Sequence, residues 1–251
     1  MPFRVKDKMR RFTTIFILCV VIFSCLSGND QHTKAVFPVT ASMIEPQQTV
    51  STGWECIDVA GVLGFADISF NATTVVYFYA KPNASVRPAQ TLRFYDDKTI
   101  NSWSFRAEGE KSYPLLNPER HKLDYSLFDL AVKSRLSGWL EVEVDEQTNG
   151  TLWLQESRGV RFKNWRQVMK EAFAISRINT GTNPLRTKPY STAKIININE
   201  RDCFKFKQMQ GDWIRVAQAT YCNTDLKSTA SGWIRWRDEN GCRIVEIFPF
   251  A

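Results

Sequence analysis

Lys227–Ile234 reads KSTASGWI, and Lys133–Leu140, 94 residues earlier, reads KSRLSGWL. Lys, Ser, Ser, Gly and Trp recur in the same places, and one copy ends in Leu where the other ends in Ile. Both copies run on into Asp-Glu and Asn-Gly, as Asp145-Glu146 with Asn149-Gly150 and as Asp238-Glu239 with Asn240-Gly241. A phrase that recurs in order with its following turn is the mark of a repeated unit. Read so, the chain holds two copies of one small β unit. Gly138 and Gly232 turn the chain sharply into a strand, and Trp139 and Trp233 anchor that strand on the core.

The flanking sequence supports a mainly β reading. Thr73–Tyr79 (TTVVYFY) is β-branched and aromatic and stops at a Lys81-Pro82-Asn83 turn. Gln90–Tyr95 (QTLRFY), Cys203–Met209 (CFKFKQM) and Ala193–Ile198 (AKIINI) read as further strands. Gln210-Gly211-Asp212 turns into Trp213–Val216, and Trp139–Val144 returns through Asn149-Gly150 to Thr151–Leu154. Trp233–Arg237 turns through Asp238–Gly241 into Ile244–Phe248, since Asn-Gly supplies the positive φ angles of a tight hairpin. Between the units, Asn164–Arg177 (NWRQVMKEAFAISR) places Trp165, Val168, Met169, Ala172 and Ile175 at helical spacing behind an Asn N-cap. Short strands with frequent turns predict small closed barrels.

The second unit resembles the bacterial SH3-like (SH3b) domain. The likeness rests on Leu185-Arg186, Pro189 and Ser191, on Gly211–Val216 (GDWIRV), and on Gly232-Trp233-Ile234. The resemblance implies two tandem SH3-like barrels joined by a helix, with insertion loops at Trp103–Arg135 and Gln218–Ala230. The division is 1–25 signal, 26–53 linker, 54–163 first domain, 164–177 helix and 178–251 second domain. It further implies recognition of a peptide or of peptidoglycan, in a groove beside the Gly-Trp strand. Tyr190, Trp213, Tyr221, Trp233 and Trp236 line that groove, and Arg215, Arg235 and Arg237 meet carboxylates there. Trp103 and Trp236 are the tryptophans that a core role explains least.

The net charge of +7 divides unevenly. Residues 1–25 carry five basic side chains against one acidic, residues 26–173 carry 16 against 18, and residues 174–251 carry 12 against 7. No dense basic stripe of the kind that tracks nucleic acid is left. Met1–Arg11 is a basic n-region, and Phe12–Ser24 is an uncharged stretch of 13, the length of a signal-peptide core. Ile22-Phe23-Ser24-Cys25 resembles the bacterial lipoprotein box, with Phe23 bulkier than that pattern favours, which makes Cys25 the lipidation site and the membrane a partner through it. An ordinary cleaved signal, or a signal anchor, with Cys25 incidental, is the alternative. Export to the periplasm or envelope admits a disulfide among Cys203, Cys222 and Cys242, with buried free thiols as the other reading.

Motifs of catalysis are missing from the sequence. No Gly-x-Ser-x-Gly elbow, phosphate-cradling glycine loop or HExxH occurs, and no Cys/His spacing for zinc. Only His121 with Cys56 would serve a cell-wall hydrolase. Asp96-Asp97, Asp145-Glu146 and Asp238-Glu239 adjoin turns and read as solvated rather than as acid/base pairs. The sequons at Asn71, Asn83 and Asn149 are chance matches in a chain with a bacterial signal. The expectation is a non-catalytic envelope binding module without cofactor or metal, its partner a peptide, peptidoglycan or an envelope protein. An assembly role in the envelope is the alternative.

Overall fold

The computed structural model describes residues 57–109, 120–145, 150–198, 202–222 and 229–250. The signal segment, Cys25, Cys56 and the residues of the Asn149 turn lie outside them. In chain order the strands of the first half are β1 (Ile57–Asp58), β2 (Gly64–Ile68), β3 (Val75–Tyr79), β4 (Gln90–Asp97) and β5 (Ser102–Gly109). They continue as β6 (Arg120–Lys122), β7 (Leu127–Leu136), β8 (Trp139–Asp145), β9 (Gly150–Gln155) and β10 (Val160–Asn164). Helix α1 (Trp165–Glu171) follows, then β11 (Ala174–Arg177), β12 (Phe204–Gln210), β13 (Trp213–Gln218), β14 (Ser231–Arg235), β15 (Cys242–Arg243) and β16 (Val245–Phe248).

The protein is mainly β, but it forms two antiparallel sheets rather than two closed barrels. The first has nine strands in the order β10-β2-β7-β8-β9-β3-β4-β5, with β6 on β7. The second has five, β14-β13-β12-β11-β16, and β1 pairs separately with β15. Alternating side chains of the first sheet enclose one core that includes Phe78, Leu92, Phe94, Phe128, Leu130, Leu140 and Leu154. The other face of β2 and β7 contributes Phe65 and Ala131 to a second core, shared with α1 and the five-stranded sheet.

Trp103–Arg135 is therefore not an insertion loop. Within it β5 and β7 are ladder strands, and β7 pairs with β2, β6 and β8. Phe128, Asp129, Leu130, Ala131 and Val132 are all buried, because β7 is covered on both faces. That removes the apolar/polar alternation by which a half-buried strand is recognised.

The repeated phrase adopts two structures. In the first copy Lys133–Leu136 ends β7, and Ser137 (φ 45°) and Gly138 (φ 82°) form a two-residue hairpin turn with both φ positive, leading into Trp139. In the second, Ser231 and Gly232 lie inside β14, paired to Ala217 and Val216. Gly232 is needed there for close approach: a Cβ would stand 2.7 Å from the Arg186 carbonyl oxygen. What the copies share is the next pair of residues. Leu140 and Ile234 are fully buried, and Trp139 and Trp233 are half-buried.

The linking helix is shorter than its periodicity predicts. Asn164 caps it in a reciprocal box with Gln167, at 3.0 Å each way, and Trp165, Val168 and Met169 are buried. After Glu171 the chain straightens, and Ala174–Arg177 pairs with β16 instead. Ala193–Ile198 likewise makes a single bridge, Arg186 to Ile195, rather than a strand. The expected turns at Gly211 and Asp238–Gly241 are present, and the Asp238 carboxylate accepts from the Asn240 and Cys242 amides at 2.9 Å each.

Cys203 and Cys222 form a disulfide that ties the start of β12 to the Gln218–Ala230 loop. Cys242 is also disulfide-bonded. Replacing Cys203 and Cys222 by Ser lowers stability by about 3 kcal/mol, since the bridge closes a loop of sequence separation 19. Urea unfolding of both proteins checks this: the difference should appear without reductant and vanish with it, since reductant opens the Cys203–Cys222 bridge of the native protein and the Cys242 bridge of both.

An ionic cluster joins the first sheet to α1, buried at Asp129 and Arg120 and open to solvent at Arg161 and Glu171. Asp129 on β7 is 1% exposed, with Arg120 Nη1 at 3.0 Å from its Oδ2, yet neither carboxylate oxygen accepts a hydrogen bond. Asp67 meets Arg161 at 2.9 Å and Lys163 at 3.1 Å, and Lys163 also meets Glu171 at 2.8 Å. Burial pushes the Asp129 carboxyl up to about 6; Asp67 and Glu171 push the same way, while Arg120 and Lys163 oppose. A carboxyl raised in the folded state favours folding below its unfolded pKa and disfavours it above the folded one. The Asp129 contribution therefore falls between about pH 4 and pH 6, by up to about 3 kcal/mol. Denaturation of the native protein and Asp129→Asn across this range should show the native protein losing ground as pH rises. Parallel pH curves would contradict it.

Candidate functional site

The outer face of the five-stranded sheet is built by the alternation of β13 and β14. Ile214, Val216 and Ile234 point inward and are fully buried, so Trp213, Arg215, Trp233 and Arg235 project from the other side. The register places Trp213 opposite Arg235 and Arg215 opposite Trp233. Two indoles and two guanidiniums thus alternate across neighbouring strands. The Arg235 guanidinium carbon lies 5.7 Å from the Trp213 ring centre, and its Nη1 meets Glu239 at 2.5 Å. Arg215 is exposed, and β12 extends the face with Gln208 opposite Arg215 and Gln210 opposite Trp213. The far edge of β14 is covered by Arg186, whose backbone exchanges hydrogen bonds with Trp233 at 2.8 and 2.7 Å.

The remaining predicted contacts are placed elsewhere. Trp236 is a core residue, 3% exposed, its ring centre 5.0 Å from that of Trp165 and its Nε1 donating to the Gly211 carbonyl. Arg237 binds Asp212 at 2.6 Å and lies over the Trp236 ring, at the turn before Trp213. Tyr221 sits by the disulfide, its ring tilted against that of Phe173 with centres 4.6 Å apart and its hydroxyl donating to the Phe173 carbonyl. Tyr190 is exposed on the loop between Arg186 and Ile195. The alternating burial of GDWIRV and SGWIR is the signal that distinguishes Trp213 and Trp233 from Trp236, which lies beyond the end of β14.

The other candidate residues lie apart from this face. Asp97 is held below the usual carboxylate range first by the Thr99 hydroxyl and then by the Thr99 amide, which it caps in a turn. His121 packs edge-on against Phe105 and Phe128, and partial burial lowers its pKa. It lines a cavity of about 370 Å³ with Trp103, Phe105, Lys122 and Asp124. Among the described residues, no group of three or more His, Cys, Asp or Glu is placed to hold a metal, and no helix is long and apolar enough to cross a membrane.

Comparison with family models, curated proteins and solved structures gave no match to the chain.

Proposed function

We propose that the chain is a non-catalytic, exported binding module, and that its contact surface is the Trp213–Arg215–Trp233–Arg235 face. The reading rests on the alternation of two half-buried indoles with two arginines on a sheet whose other side is core. Such a face suits a flexible ligand carrying carboxylates and small apolar groups: indoles supply contact area at low entropic cost, and guanidiniums grip carboxylates in two-point contacts. A peptidoglycan stem peptide has that chemistry. The antiparallel five-stranded sheet, with Arg186 closing the β14 edge, is in keeping with an SH3-like domain in the second half. The basic, apolar N-terminal segment and the lipoprotein-like box at Cys25 support anchoring at the envelope, and the Cys203–Cys222 bridge supports an oxidising compartment.

Retention on purified sacculi tests the reading. The native chain should be retained well above a control protein, and Trp213→Ala with Trp233→Ala should lower retention at least ten-fold with unchanged unfolding midpoint. Retention equal to the control, or unaffected by the double substitution, sinks wall binding by this face. A single dominant protein adduct on cross-linking in cells would favour an assembly role instead.

A further inference from the structure

We propose that the first sheet carries a second, separate binding site: a seam between β3 and the β9–β10 turn that takes an extended peptide strand with an acidic residue at one end. β9 pairs with β3 only at Phe78 and Tyr79, so the ladder stops short and leaves Val75–Tyr77 beside an opening. The opposite side of β3 shows which backbone groups are free. The Phe94 amide donates to the Thr74 carbonyl at 3.1 Å, and the register then runs Val75 to Arg93, Val76 to Leu92 and Tyr77 to Thr91. Hydrogen bonding alternates along an antiparallel strand. Thr74, Val76 and Phe78 therefore bond toward β4, so the Phe78–Leu154 pairing engages the Tyr77 carbonyl with β9, while the Tyr77 N–H and both backbone groups of Val75 face the seam. Among the described residues, the β3–β9 register reaches no further than Phe78.

The opening has a shape and a charge. A cavity of about 220 Å³ is lined by Val75, Val76, Tyr77, Tyr79, Leu154 and Val160, so its walls are largely apolar. It shares Ser69, Thr74 and Gly159 with a neighbouring cavity of about 680 Å³. That neighbour is lined by Arg158 and Arg161 and by no carboxylate. Arg158 is exposed, and the Arg161 side chain stays 62% exposed although its Nη2 meets Asp67 at 2.9 Å. An unpaired strand edge running from an apolar cleft to two guanidiniums is complementary to one kind of occupant. An incoming strand adds main-chain hydrogen bonds at Val75 and Tyr77, places alternate apolar side chains in the cleft, and sets a carboxylate at Arg158 and Arg161.

Selection of a random octapeptide library on the full chain tests the proposal. The expected winners alternate apolar residues and carry Asp, Glu or a free C-terminus at one end. A synthetic winner should lose at least ten-fold in affinity for Arg158→Glu and for Tyr77→Pro, bind Trp213→Ala normally, and slow amide exchange at Val75 and Tyr77. Arg158 is an exposed turn residue, so that variant reports on binding even if proline at 77 disturbs the sheet. No enrichment over a mock selection overturns the proposal. So does unchanged affinity for Arg158→Glu, or binding lost on Trp213→Ala, which assigns the peptide to the other face.

Discussion

Gly232→Ala destabilises the protein by about 3–5 kcal/mol, whereas Gly138→Ala, the same change in the same phrase, costs about 1–2 kcal/mol. At position 138 the added methyl meets nothing within 4 Å, and the penalty is confined to an L-residue at φ +82°. At position 232 the methyl lies 2.7 Å from the Arg186 carbonyl oxygen, 2.9 Å from Leu185 Cγ and 3.0 Å from Ile196 Cδ1. The obstacle is backbone, and Leu185 is fully buried. Relief requires the Arg186–Trp233 hydrogen bonds to part, which uncovers the edge of β14. Urea unfolding of both variants measures the difference. Equal and small losses would mean that the two glycines occupy equivalent turns, as a true structural repeat requires.

Phe128→Ala costs about 3–5 kcal/mol, among the largest effects of any single truncation here. Its ring is fully buried and meets Phe94 and Phe105 edge-on, with centres 5.3 and 5.2 Å apart. Each such aromatic pair adds about 0.5–1.5 kcal/mol beyond area burial, and little backbone freedom remains at a central strand to refill the space. An insertion loop at this position would tolerate the change within about 0.5 kcal/mol. The unfolding midpoint of this one variant thus separates a sheet that includes residues 103–135 from one that excludes them.

The Trp213–Arg215–Trp233–Arg235 face and the β3 seam differ in how they arise. The face follows from alternation in two strands that share a hairpin-like register, so its four residues could be picked out as strand neighbours in GDWIRV and SGWIR. The seam depends on where β9 stops pairing with β3, which brings Tyr77 near Gly159 and Arg158 from a distant part of the chain. Nothing in the sequence around Val75 marks an open edge.

Half of the strands were legible, because their causes are local. TTVVYFY, QTLRFY, CFKFKQM and the Trp139–Val144 segment combine β-branched or aromatic residues with turns of Gly, Asn and Asp at their ends, and each forms in nearly the predicted place. The Asn164 cap is local in the same way. Tertiary structure decided the rest. β7 lost its alternation because both faces are covered, and Ala174–Arg177 left the helical pattern because β16 offers a ladder of four paired residues. The repeated SGW phrase took two conformations because Ser137-Gly138 is free to turn in open space, while Gly232 is pinned against Arg186. Eight residues specify an alternation of inward and outward side chains; which of them turns, and what the outward ones meet, is set by strands that the chain supplies from far away.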